Sequence, residues 1–340
     1  MNEHRSANSD SSREIRSYFA IFLALSLLYL LSGLVLPALV GDGERGREAF
    51  FGFSQMGCFG IPCIVIGLLV PLVGLFLHSK LSPVLVDRMR TRVGLIFNST
   101  WFRVVFSLLL VTVFFLLRNR FINYDGQMFA EKFARDVPLH GAHVTHDEMW
   151  ELYLHSRFWF YTNRLFGWSV ELSYQVLSSV AGGAFILMLM YYCSVIFSER
   201  PVLAFVVCVS GGYMQLFFGD VENYTMTVML IMAYFLASTL YIKGRANIII
   251  PSVILATALT FHLLSGFLIP SLLILYNIAW KRHEKRTVIV SAAMFSAIVA
   301  FTLICFHMND LPIRNLWYHS HAFGHGGNFR PRLVDPSPGY

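Results

Sequence analysis

The feature that most constrains this chain is its series of long apolar blocks, interrupted by short charged clusters. The longest, 246–280, contains no Asp, Glu, Lys or Arg. A helix needs about 20 mostly apolar residues to cross the hydrocarbon core. Inside lipid the backbone must satisfy its own hydrogen bonds, which helices do. These blocks are continuous and lack the apolar stripe of a soluble helix. The chain is 56% hydrophobic and 14% charged, whereas a soluble domain carries about 25% charged residues. That leaves too little water-facing surface for a soluble globule. The expected fold is all-α, a polytopic transmembrane helix bundle of about nine spans.

The expected spans are 17–40, 57–78, 101–117, 174–198, 201–219, 223–242, 246–261, 263–280 and 287–307. Residues 1–16 read as a cytoplasmic tail. The block after them is too long for a signal-peptide core and reads as an uncleaved first span. Residues 17–340 then form one transmembrane domain. His262, Ser265, Gly266 and Pro270 break the block 246–280 into two short helices. A single tilted helix there would invert everything downstream.

Basic residues orient the bundle, because short cytoplasmic loops are rich in Lys and Arg. With the N-terminus inside, the inner segments hold Arg5, Arg13, Arg16, Lys80, Arg88, Arg90, Arg92, Arg103, Arg200, Lys243, Arg245, Lys281, Arg282, Lys285 and Arg286. The short outer loops hold only Arg45 and Arg47. The net charge of +6 is spread over these clusters, so no nucleic-acid partner is expected. The five cysteines, Cys58, Cys63, Cys193, Cys208 and Cys305, lie in apolar blocks and read as small buried hydrophobes. The sequons at Asn98 and Asn223 read as chance matches.

Two long segments fall on the outer face, the loop 118–173 and the C-terminal segment 308–340. The loop opens with Arg118, Arg120 and Tyr124-Asp125-Gly126. Asp-Gly is a turn signal, which places Asp125 near the headgroups beside two arginines. Thr145 to Glu148 fits a capping box, with Thr145 as cap and Glu148 three residues on, so Glu148 is assigned to capping. The helix this opens, 149–160, mixes aromatic and charged residues as a membrane-surface amphipathic helix does.

A second acidic cluster, Gly219-Asp220-Val221-Glu222-Asn223-Tyr224, forms the outer hairpin between two spans. Carboxylates at such depth are costly and usually face a polar cavity. His262 lies at the break in 246–280, also outside. The C-terminal segment carries His307, Asp310, Arg314, His319, His321, His325, Arg330 and Arg332. The histidine spacing matches no zinc motif, and Arg330 or Arg332 suits phosphate better. No cofactor is called for, and a divalent metal stays open.

On these residues the chain resembles the GT-C superfamily of integral membrane glycosyltransferases. Asp125 takes the place of the acidic residue in an early outer loop, and 149–160 that of the surface helix behind it. The hairpin 218–224 is similar to a Gly-x-x-Glu-x-Tyr pattern of bacterial members, and Thr260-Phe261-His262 to a Thr-x-His element. The chain departs from the family in placing the acidic loop after the third span rather than the first. It also lacks a second acid next to Asp125. Related proteins continue with further spans, so a C-terminal truncation is expected.

The resemblance implies transfer of a sugar from a polyprenyl-phosphate carrier to a glycan, lipid or protein acceptor. The setting would be the outer face of a bacterial inner membrane, with membrane lipids as the surroundings. Asp125 and Glu222 are the implied catalytic residues. Arg118, Arg120, Asp220, Tyr224, His262 and Arg330 are the implied substrate-binding residues. The absence of a nucleotide fingerprint fits a lipid-linked donor. The alternative is a transporter or flippase of a lipid-linked or anionic substrate, whose site would lie near the midplane at broken helices.

Overall fold

The computed structural model describes residues 83–118, 121–122, 124–140, 142, 144–145, 147–308 and 332–333. The chain divides into two compact units, 1–83 and 84–340. The expected tail and the spans 17–40 and 57–78 lie outside the described residues.

The second unit is helical. Among the described residues, four helices are long and apolar enough to cross a membrane, or five if one bent pair counts as a span. That pair is α1 (Pro83–Asn98) and α2 (Thr100–Leu116), which meet at Ser99 with a bend of 76°. Next come α3 (Tyr124–His140) and α4 (Met149–Phe166), then the long α5 (Val170–Ile196). Gly167 ends α4 in the left-handed conformation (φ 69°), and Ser169 caps α5 by accepting from the Leu172 amide.

The expected span 201–219 is not one helix. It is α6 (Pro201–Val209) followed by a 3-10 turn, Gly212–Phe217. The pair Gly211-Gly212 explains the break, since glycine costs about 1 kcal/mol against alanine in a helix. Then follow α7 (Thr225–Ile242), α8 (Ile249–Phe261), a 3-10 turn (Leu263–Leu268), α9 (Ile269–Lys281) and α10 (Lys285–His307). The break expected at His262 is present. The Tyr276 hydroxyl donates to Ser252 Oγ at 3.1 Å, so α9 runs back along α8 and the block is not one tilted helix.

The sequence reading of the loop 118–173 needs two corrections. Asp125-Gly126 is not a turn but lies in the first turn of α3. Along α3, Phe129, Phe133 and Val137 repeat every four residues and are buried with Leu152, Trp159 and Tyr174, and this packing overrides the local Asp-Gly preference. The capping box at Thr145 is not formed either. Helix α4 starts at Met149, Glu148 is the residue preceding it, and Glu148 makes no side-chain cap bond. Backbone pairing of Phe121–Ile122 with Arg332–Leu333 brings part of the C-terminal segment beside the start of α3.

The main core forms where α2, α5, α6 and α7 meet, around Phe114, Phe185, Leu189, Met190 and Phe217. Gly183 lets α2 approach α5 closely, since a Cβ there would collide with Val111. At the far edge, α10 has only 17% of its apolar window buried. Ile289, Phe301 and Ile304 stand open, as on a helix whose remaining partner is lipid. Several apolar helices of this kind are compatible with an integral membrane protein.

The two ends of the bundle differ chemically. At one end basic side chains bond backbone carbonyls in the last turns of helices and in the turn between α5 and α6. Arg90 donates to Glu199 O, Lys243 to Val195 O and Arg282 to Ile242 O. Buried Arg103 donates to Phe97 O, Asn98 Oδ1 and Ser194 Oγ at 2.7–2.9 Å, with its guanidinium 4.2 Å from the Tyr191 ring centre. Cations there complement the helix dipoles. Glu148, Glu151, Asp220 and Glu222 lie at the other end.

Candidate functional site

The acidic end is assembled by α4. The hydrogen bond from Leu263 N to Asp147 O, at 2.9 Å, ties the start of α4 to the turn after α8. Trp150 Nε1 donates to Thr302 Oγ1 on α10 at 2.9 Å. Glu148 thereby comes between the 219–224 hairpin and His262. Asn223 Nδ2 donates to Glu148 Oε2 at 2.8 Å, and His262 Nε2 faces Glu148 Oε1 at 3.4 Å.

The histidine tautomer follows from its other nitrogen. Nδ1 of His262 accepts from the Leu264 amide at 3.1 Å, so the ring proton sits on Nε2 and points toward Glu148. Tyr224 stacks on the same imidazole, with centres 5.0 Å apart. Asn223 Oδ1 accepts from Tyr174 OH at 3.2 Å. Asn223 is buried between these partners, which agrees with reading its sequon as a chance match.

Behind this layer lies a second carboxyl. Glu151 is fully buried. Its oxygens accept from Met226 N at 3.2 Å and Thr227 Oγ1 at 3.1 Å. It caps α7 from a different helix, because the first amides of a helix have no intrahelical acceptor. Burial raises its pKa from 4.5 to about 8 against the opposing pull of those donors, so Glu151 carries a proton at neutral pH.

His155, one turn along α4, is also fully buried. Burial lowers its pKa from 6.5 to about 4. Its Nδ1 donates to Glu151 O at 2.8 Å, its ring stacks on Tyr174 at 4.0 Å, and its Nε2 meets no partner among the described residues. Glu151 and His155 approach to 3.8 Å but both are neutral, so they are not an ion pair. Both were missed in the sequence, where the helix read as a membrane-surface element. The 3.6-residue period could have exposed them, since Glu151, His155 and Trp159 share a face four residues apart.

Of the expected site residues, Asp220, Glu222, Tyr224, His262 and Arg118 are brought to this end. Gly219 turns the hairpin with φ 70°, and Ser178 Oγ donates to the Asp220 carbonyl at 3.2 Å. Burial raises the Asp220 carboxyl to about 6, partly offset by the Val221 amide. Glu222 is half-buried. Arg118 lies against Gly219 and spends two N–H groups inside the protein, on Gln175 Oε1 (2.9 Å) and Phe115 O (3.0 Å). It braces the hairpin.

The backbone of Asp125 lies in the first turn of α3. Its side chain, Arg120 and Arg330 lie outside the described residues, as do His319, His321 and His325. Among the described residues no group of three or more His, Cys, Asp or Glu could hold a metal ion. No protein-family model, curated protein or solved structure matches the chain.

Proposed function

We propose that the chain is a multi-pass membrane glycosyltransferase of about nine spans, with its N-terminus in the cytoplasm. It moves a sugar from a polyprenyl-phosphate carrier to an acceptor at the outer face of a bacterial inner membrane. The observation that carries this reading is chemical polarity along the bundle. Carboxyls from α4 and the 219–224 hairpin gather at one end with His262 and Tyr224. Basic residues crowd the other. Buried or half-buried acids at a membrane surface are costly and are kept where function needs them.

In this reading the acceptor hydroxyl attacks the anomeric carbon of the donor. The bond from that carbon to the phosphate oxygen breaks, and the lipid phosphate leaves with the electron pair. A carboxylate takes the hydroxyl proton, acting as general base. Asp125 is the proposed base and Glu222 the alternate. Arg118, Arg120 and Arg330 are proposed near the leaving phosphate, where guanidinium donors suit its charge. A transporter site belongs near the midplane, whereas the helix break at His262 lies at the acidic end. That contrast favours the enzyme.

The test is a transfer assay of the purified protein with a panel of polyprenyl-phosphate sugars. Asp125→Asn should keep the fold and lose about 10²–10⁴-fold in turnover. Normal turnover of a well-folded Asp125→Asn protein sinks the assignment, and no transfer with any donor sinks the reading.

A further inference from the structure

The group formed by Glu148, His262, Asn223 and Tyr224 has a geometry that catalysis by Asp125 and Glu222 does not use. Glu148 receives one donor on Oε2, from Asn223 at 2.8 Å, and faces one at Oε1, from His262 at 3.4 Å. A carboxylate has about four lone-pair sites, so each oxygen keeps one for an outside donor. The side chains of His262 and Glu148 remain 12% and 14% exposed.

Tyr224, stacked on His262 at an interplanar angle of 26°, is 38% exposed. The same three segments carry buried hydroxyls that meet no partner among the described residues, at Thr145, Thr225 and Ser265. With two donors already aimed at its oxygens, Glu148 is a poor metal ligand. It is well suited to accept a pair of neighbouring hydroxyls.

We infer that Glu148 and Tyr224 form a pyranose-binding subsite, with the carboxylate accepting two vicinal sugar hydroxyls and the tyrosine ring lying along the apolar face of the sugar. His262 and Asn223 are positioning residues that fix the carboxylate. The inference rests on the glycosyl-transfer reading for the class of substrate. A charge-assisted hydrogen bond to a substrate hydroxyl gives strong discrimination, because the site is left unpaired when the hydroxyl is missing.

The test is saturation-transfer NMR on the purified protein with the methyl glycosides of glucose, mannose, galactose and N-acetylglucosamine. At least one should bind, and its 2-deoxy, 3-deoxy or 4-deoxy analogue should bind more weakly. Glu148→Gln should weaken binding about 10–100-fold with the melting temperature preserved. Tyr224→Leu should lose binding while Tyr224→Phe retains it, so the outcome does not depend on the folding of the Glu148 variant. Binding of none of the four glycosides, or equal binding by wild type, Glu148→Gln and Tyr224→Leu, overturns the subsite. Binding without transfer from any polyprenyl-phosphate donor leaves the subsite standing and removes the transferase. Transfer in which Glu148→Gln leaves donor KM unchanged does the reverse.

Discussion

Replacing Glu151 by Gln should stabilise the protein in alkaline solution and leave it nearly unchanged in acid. The carboxyl is buried, uncharged at neutral pH and bonded to Met226 N and Thr227 Oγ1. Gln has the same shape. Its oxygen can accept from Met226, and its amide can donate to Thr227 once that hydroxyl turns. Raising the pKa of Glu151 from 4.5 to about 8 makes the unfolded chain the one that loses this proton first. Stability therefore falls as pH rises through that window. At about 1.4 kcal/mol per tenfold change in proton affinity, the full effect is roughly 3–5 kcal/mol.

His155 acts in the opposite sense. Its pKa is lowered to about 4, so its contribution is lost as pH falls from 6.5. In wild type the two offset each other between pH 4.5 and 6.5, where folding only moves a proton from one residue to the other. Above pH 6.5 only the Glu151 effect remains, and stability should drop by roughly 2 kcal/mol up to pH 8. In Glu151→Gln that drop should vanish. The contribution of Asp220 is common to both proteins and disappears from their difference. Thermal melts in detergent at pH 5 and pH 8.5 measure it, at about 2–4 °C per kcal/mol for a domain of this size. Parallel pH curves for the two proteins, or a Gln variant much weaker at pH 5, would refute the assignment of a neutral buried carboxyl.

Three further outcomes are expected. Gly219→Ala should lower stability by about 1–3 kcal/mol, because φ is 70° and the new Cβ would sit 2.9 Å from Arg118 Cβ and Gln175 Cγ; an unchanged melting temperature would contradict the hairpin geometry. Arg103→Lys should cost about 1–3 kcal/mol by losing the forked bonds to Phe97, Asn98 and Ser194, read by thermal melting. With the native cysteines replaced, single cysteines at Leu264 and Phe166 should react with a membrane-impermeant thiol reagent in intact cells and one at Lys281 should not. The opposite pattern inverts the bundle.

Helices with one kind of neighbour along their length were readable in the sequence. The block 174–198 became Val170–Ile196, and 287–307 became Lys285–His307, because apolar length alone decides them. The break at His262 was readable from local polar and proline residues. The division of 201–219 was not, because its hydrophobicity outweighed two adjacent glycines. Helix α3 was hidden by Asp125-Gly126 and Pro138, which argue against a helix locally, while its buried face is met only by residues far along the chain. Of the candidate site, the placement of the hairpin acids and His262 at one end was readable. Glu148 was assigned to a capping box by its spacing, yet its partners Asn223 and His262 lie in other segments, and no local pattern reports them.

The cap that Glu151 places on α7 also orders events during synthesis. Its two partners, Met226 and Thr227, lie 75 and 76 residues downstream. At the usual ~5–20 residues per second they are made ~4–15 s after Glu151 itself. During that interval the carboxyl has no helix end to close, and outside the folded bundle it ionises and stays hydrated. Helix α4 can settle only when the start of α7 arrives, and its links to Leu263 and Thr302 come later still. Among the described residues, the acidic end is therefore completed late, by helices made after the residues they fasten.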